Sequence, residues 1–130
     1  MPISEHGLHD LIKKMENYEG CRFQYVELVF LNDKEMLQMN RKFLSHNYLT
    51  DILTFPYHEM HSELLEGSLF CCVQQIQRQS AYYQVSFESE LTRVVIHGLL
   101  HLIGYDDNNS TNRQSMHKLE NKYLSILSGL

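Results

Sequence analysis

Tryptophan is absent from the 130-residue chain, proline occurs twice, glycine six times and cysteine three times. An odd cysteine count, with Cys71 and Cys72 adjacent, gives no disulfide framework. On a strand those two thiols point to opposite faces, so they cannot chelate together, and reduced structural thiols are expected. Few prolines and glycines, with 43% apolar and 21% charged residues, exclude collagen-like, low-complexity and disordered classes. No apolar run approaches the ~20 residues of a membrane span, and no charged-then-apolar leader opens the chain. A cytoplasmic protein without a membrane partner is expected. Positive charge is also scarce, with 11 Lys and Arg against 16 Asp and Glu, a net −5. That balance argues against a chain that grips DNA by bulk electrostatics, and any polyanionic substrate would need a local basic patch or a bound cation.

What the chain has is apolar material for one core and eight histidines. Its length suits a single domain over residues 1–130, removing roughly two-thirds of the unfolded surface from water. Ser4 can cap a helix with the stripe Leu8, Leu11, Ile12 and Met15, closed at Glu19-Gly20. Phe23 to Leu31 reads as a mostly buried strand. Asn32 or Asp33 then caps a helix through Met36, Met39 and Phe43 to Leu44. A polar bend, Ser45-His46-Asn47, precedes a short strand from Thr50 to Phe55, ended by Pro56. His58 to Glu66 is expected as a loop, Ser68 to Val73 as a strand introduced by Gly67, and Gln74 to Tyr83 as a helix. The strongest helical signal runs from Phe87 to Ile103 behind a Ser86 cap, with Gly104 as its stop. A polar turn from Asp106 leads to a last helix starting at Thr111 or Asn112, with Met116, Leu119, Tyr123 and Leu127 on its apolar face. The fold class expected is α+β: a short mixed sheet packed with four to five helices.

The strongest helix carries His97 and His101. Positions four apart differ by roughly 40° around the axis and ~6 Å along it, so two imidazoles can bite one ion from a single face. Apolar neighbours (Val94, Val95, Ile96, Leu99, Leu100, Leu102) would make two unpartnered imidazoles costly by a few kcal/mol. A third donor must come from chain that leaves the helix, and Gly104 is placed to release it toward Asp106 and Asp107. Three protein ligands with an open fourth position, free for water or substrate, make a catalytic type of site. His6, His9, His46, His58, His61 and His117 are expected to be solvated, with His58, His61 and His117 as reserve ligands.

The run His97-Gly98-Leu99-Leu100-His101-Leu102-Ile103-Gly104-Tyr105-Asp106-Asp107 resembles the motif H-G-x-L-H-L-x-G-Y-D-H of the YbeY family, zinc-dependent endoribonucleases of rRNA maturation. It matches every specified position but the last. Met39-Asn40 with Phe43 stands where that family has L-N-x-x-Y, and Thr50-Asp51-Ile52-Leu53-Thr54-Phe55-Pro56 resembles T-D-V-L-S-F-P. Gly67-Ser68-Leu69 falls at G-D-I, and Glu90-Leu91 at the family's E-L. The resemblance covers about Leu31 to Asp107, continued by Met116 and Glu120. It implies one Zn²⁺ per chain held by His97, His101 and, by position, Asp107 in place of the family's third histidine. A carboxylate there keeps the site nearer +1 than +2 and suits Fe(II) or Mn as well as Zn. The family's Arg after L-N-x-x-Y is Leu44, with Arg41 three residues away as the candidate RNA-binding replacement, and Ser68 replaces the Asp of G-D-I. The N-terminus leaves little room for the strand that usually opens the family's fold.

An ion at such a site acidifies a water and polarises a phosphoryl or carbonyl oxygen. Zinc proteases of the H-E-x-x-H type follow the first histidine with a glutamate; here Gly98 cannot take a proton, which disfavours an amidase or peptidase. The resemblance implies a single-strand-specific endoribonuclease in rRNA processing and ribosome quality control, with rRNA and the ribosome as partners. An RNA groove would draw on Arg41, Lys42, Arg78 and Arg93. The alternative is a non-catalytic ribosome- or partner-binding protein with a structural ion.

Overall fold

The computed structural model describes residues 4–59 and 62–128. The elements follow as α1 (Glu5–Glu19), β1 (Arg22–Leu31), α2 (Asp33–Leu44), β2 (Ile52–Pro56), β3 (Leu64–Cys72), α3 (Val73–Tyr83), α4 (Phe87–Ile103) and α5 (Ser110–Ser128). This is a small α+β domain with five helices and one three-stranded sheet among the described residues. The sheet order is β1-β3-β2, with β1 parallel and β2 antiparallel to the central β3.

β3 is hydrogen-bonded on both edges, and Leu65, Gly67, Ser68, Leu69, Cys71 and Cys72 in it are buried. Its two faces serve two cores. Leu69 and Cys71 pack with Leu11, Met15, Ile76 and the apolar stripe of α4, whereas Cys72 packs with Met36 of α2 and Leu53 of β2. The adjacent thiols therefore point apart, both free, and burial with Asp51 nearby pushes the Cys71 thiol up to about 12. α4 lies close against the sheet at Gly98, where a side chain would push into the ends of Ile52 and Leu69. A Cβ there would stand 2.6 Å from Ile52 Cδ1 and 3.0 Å from Leu69 Cδ2.

Several boundaries differ from the sequence-based expectation, among them β2, which runs Ile52–Pro56 against an expected Thr50 to Phe55, and β1, which starts at Arg22. β3 begins at Leu64, not after Gly67, because Arg22↔Leu64 and Phe23↔Leu65 pair with β1 ahead of an irregularity at Tyr25. That cross-chain pairing turns part of the expected loop into strand. Val73 opens α3 instead of closing β3. α5 starts one to two residues early, at Ser110, where Asn109 Oδ1 accepts from the Asn112 N–H at 2.8 Å. The caps at Ser4, Asn32 and Ser86 stand as expected, Asn32 completing a capping box with Glu35. No strand precedes α1 among the described residues, and none of the described helices is long and apolar enough to cross a membrane.

Candidate metal centre

α4 ends where the site begins. Gly104 takes φ 124°, a region that L side chains rarely adopt, and its N–H closes on the carbonyls of Leu100 and His101. The chain then turns back past Tyr105, which brings Asp107 over the last turn of the helix. His97 Nε2 and His101 Nε2 are 3.0 Å apart, and Asp107 Oδ2 stands 3.3 Å from the first and 3.5 Å from the second. Around an ion with bonds of about 2.0–2.1 Å, tetrahedral ligands stand about 3.3–3.4 Å from one another. The two Asp107 separations lie close to that edge length, and the two imidazole nitrogens stand somewhat nearer to each other. The donor set suits a borderline divalent ion, so these residues can hold a metal.

The imidazoles are less enclosed than the apolar neighbours suggested. About a quarter of each side chain is exposed, 25% for His97 and 26% for His101, because they form a cleft floor and not a core layer. His97 is oriented by Glu120 of α5. Its Nδ1–H donates to Glu120 Oε2 at 2.7 Å, which leaves the Nε2 lone pair facing the cluster. Arg93 Nη1 donates to Glu120 Oε1 at 3.1 Å and its Nη2 to Asn121 Oδ1 at 2.7 Å. Burial disfavours charge on His97, but the hydrogen bond and charge of Glu120, with Asp107 and Asp51, outweigh it and raise the pKa. Burial likewise opposes charge on Glu120, yet His97 and Arg93 hold its carboxyl below the usual range. The orienting roles of Glu120 and Arg93 do not follow from the sequence reading. The available signal is a glutamate inside the apolar stripe of α5, between Met116 and Tyr123.

Two clefts meet at His97 and Asp51. One, of about 480 Å³, contains His97, His101 and Asp107 and is bordered by Leu44 and by Thr50 to Pro56. The other, of about 430 Å³, lies between α3, α4 and α5. Asn40 fixes the approach to Asp51: buried, it donates to the Met36 carbonyl at 3.0 Å and to Thr50 Oγ1 at 3.1 Å. Arg41 is exposed and donates through Nε to Asn47 Oδ1 at 2.6 Å, outside the metal cleft, whose rim carries Leu44 instead. The expected basic groove is not gathered. Arg78 is clamped on Asp33 at 2.8 and 2.9 Å, Arg93 serves Glu120, and Lys42 lies over the Phe43 ring. Ser68 faces the other side of the sheet, donating to Glu27 and accepting from Tyr57, so its change from Asp does not touch the site. Of the other histidines, His6, His9 and His117 are exposed and His61 lies outside the described residues. His46 is half-buried and stacked on Tyr48, and His58 Nδ1 accepts from the Glu66 N–H, both contrary to the solvated reading.

The sequence model of the family described as Endoribonuclease YbeY matches residues 3–128. The chain belongs to the YbeY family. Relatives bearing the name Endoribonuclease YbeY include one from Chlorobium phaeobacteroides, 38% identical over 98% of this chain and 91% of its own length. Another, from Bacteroides thetaiotaomicron, is 36% identical over 95% and 89%. A Thermotoga maritima protein with a solution structure is 30% identical, with a TM-score of 0.64 over 94% of this chain and 81% of that one. Within this YbeY fold, Leu44 and Asp107 both border the cleft that contains His97 and His101.

Proposed function

We propose that this chain is a metal-dependent, single-strand-specific endoribonuclease of rRNA maturation and ribosome quality control, acting in the cytoplasm, with His97, His101 and Asp107 holding one Zn²⁺. The observation that carries the reading is the convergence of three donor atoms within 3.5 Å of one another on the floor of an open cleft. The names of the relatives support the endoribonuclease part. When bound, the ion would acidify a water and polarise a phosphoryl oxygen. The chain does the rest. Glu120, anchored by Arg93, orients the His97 ring; the Gly104 turn presents Asp107; and the apolar rim of Leu44, Ile52 and Phe55 limits solvent around the reacting phosphate. Gly98 packs on Ile52 and Leu69 and offers no proton acceptor, which keeps peptide cleavage disfavoured. Arg41 is assigned to a phosphate outside the cleft. With Leu44 in place of a cation at the rim, a non-catalytic ribosome-binding role with a structural ion is the second reading.

The test is cleavage of single-stranded RNA by purified protein, before and after a chelator and after zinc is restored. Activity that is lost, recovered and absent in His101→Ala supports the enzyme. Zinc bound tightly with no cleavage at any concentration favours the structural-ion reading, and cleavage indifferent to both treatments refutes the metal mechanism.

A further inference from the structure

The second cleft shares Asp51 and His97 with the first but is not lined by His101 or Asp107. Its wall is unusual in what it offers. Gln79 Nε2 donates to Glu90 Oε2 at 2.9 Å and to Asp51 Oδ2 at 3.2 Å, which uses both amide hydrogens. Among the described residues no donor reaches Glu90 Oε1 or Asp51 Oδ1, and neither atom is sealed from solvent. Glu90 itself is 5% exposed, so a carboxylate is held inside the protein with one oxygen turned to the cleft. At this part of the wall the two open oxygens, Glu90 Oε1 and Asp51 Oδ1, are acceptors, with Ser89 beside them in the lining. Tyr83, 61% exposed, flanks the opening, and the Arg93 guanidinium lies on the α4 side. The volume of about 430 Å³ falls in the range of small-molecule pockets.

We propose that this cleft is a nucleobase subsite that selects guanine in the RNA strand, with Glu90 and Asp51 accepting from its base edge and Tyr83 covering its face. The inference rests on the nuclease reading for its RNA, but not for its chemistry. Single-stranded RNA is recognised through unstacked bases laid on aromatic rings and hydrogen-bonded along their pairing edges. Guanine alone carries two adjacent donors there, N1–H and the N2 amino group. Adenine and cytosine place an acceptor beside their amino group, and uracil flanks its single N–H with two carbonyls. Each of those acceptors would face a carboxylate lone pair. A phosphate is repelled by the same wall, which leaves the ion in the neighbouring cleft as its counter-charge. Asp51 and His97 border both clefts, so one nucleotide can present its base to one and its phosphate to the other.

The test is titration of zinc-loaded protein with guanosine, adenosine, cytidine and uridine, following backbone amide shifts of Gln79, Ser89 and Glu90. Guanosine should move these amides with an affinity about tenfold above the others. Glu90→Gln, which puts an amide where the acceptor was, should erase that preference, and Tyr83→Ala at the surface should weaken all four nucleosides together. Equal or absent shifts with the four nucleosides overturn the subsite, as do shifts caused by Mg²⁺ or Mn²⁺ with guanosine silent. A protein that cleaves RNA without base preference and binds no nucleoside keeps the nuclease reading and loses this one. A protein that binds guanosine selectively but cleaves nothing does the reverse.

Discussion

Glu120 shows how much one side chain outside the His97, His101 and Asp107 cluster can govern. It is 7% exposed, takes the His97 Nδ1–H on one oxygen and Arg93 on the other, and so fixes both tautomer and ring plane. Glu120→Gln should lower zinc affinity by about 10- to 100-fold, read by competition with a chelator, while the thermal melt of the metal-free protein moves little by comparison. At position 107 a carboxylate stands where relatives of this fold are expected to carry histidine. Asp107→His should raise the preference for zinc over manganese, measured by competitive loading and metal analysis, because imidazole suits zinc and carboxylate suits manganese. The histidine pair four apart and the glycine that releases the chain after it are legible in the amino-acid order. The choice of Asp107 over Asp106 comes instead from the resemblance to the family motif, and the structure brings Asp107 beside the pair. The role of Glu120 is not legible, because nothing local says which turn of α5 will lie against which turn of α4. The exposure of the imidazoles is misjudged from sequence for a related reason, since their apolar neighbours occupy the other side of the helix.

At the scale of elements, α1, α5 and the turn after α4 are joined by one carboxylate. Glu19, the last residue of α1, accepts from the Tyr105 hydroxyl at 2.6 Å and from the Tyr123 hydroxyl of α5. Tyr105 follows Gly104, so this tie braces the turn that presents Asp107. Hydrogen bonding to Glu19, with burial, pushes the Tyr105 phenol up to about 12, and burial with the same carboxylate raises Tyr123 further. A phenol raised in the folded state adds stability that is fully present below its unfolded value near 10 and is lost as pH climbs through the folded value. Tyr123→Phe should therefore cost about 1 kcal/mol or more at neutral pH, with Glu19 left short of a donor. The gap in melting temperature from the parent should persist to about pH 10 and narrow above it. A gap that widens in alkali would contradict the tie. Helices are the readable elements, since caps and apolar spacing mark them locally. The start of β3 is not, because Leu64 to Glu66 become strand only through pairing with β1, about forty residues upstream, which the pattern of that segment does not encode.

The whole molecule sets the terms on which RNA can approach. Its net charge of −5 gives no long-range attraction for a polyanion, and the described arginines are mostly spent on Asp33, Glu120 and Asn47. On the proposed reading, binding then depends on the charge of an ion held in one cleft and on base contacts in the other. Fold class and the position of the histidine pair follow from periodicity and spacing. The second cleft does not, because it is formed by residues from β2's approach, α3, α4 and α5 that meet only in the folded chain. The decisive measurement is zinc-edge anomalous diffraction from crystals of the zinc-loaded protein. One peak per chain bonded to His97 Nε2, His101 Nε2 and an Asp107 carboxylate oxygen, with the fourth position open to the cleft, is the predicted result. Zinc elsewhere, or Asp107 turned to solvent with the imidazoles bonded only to protein, would contradict the account.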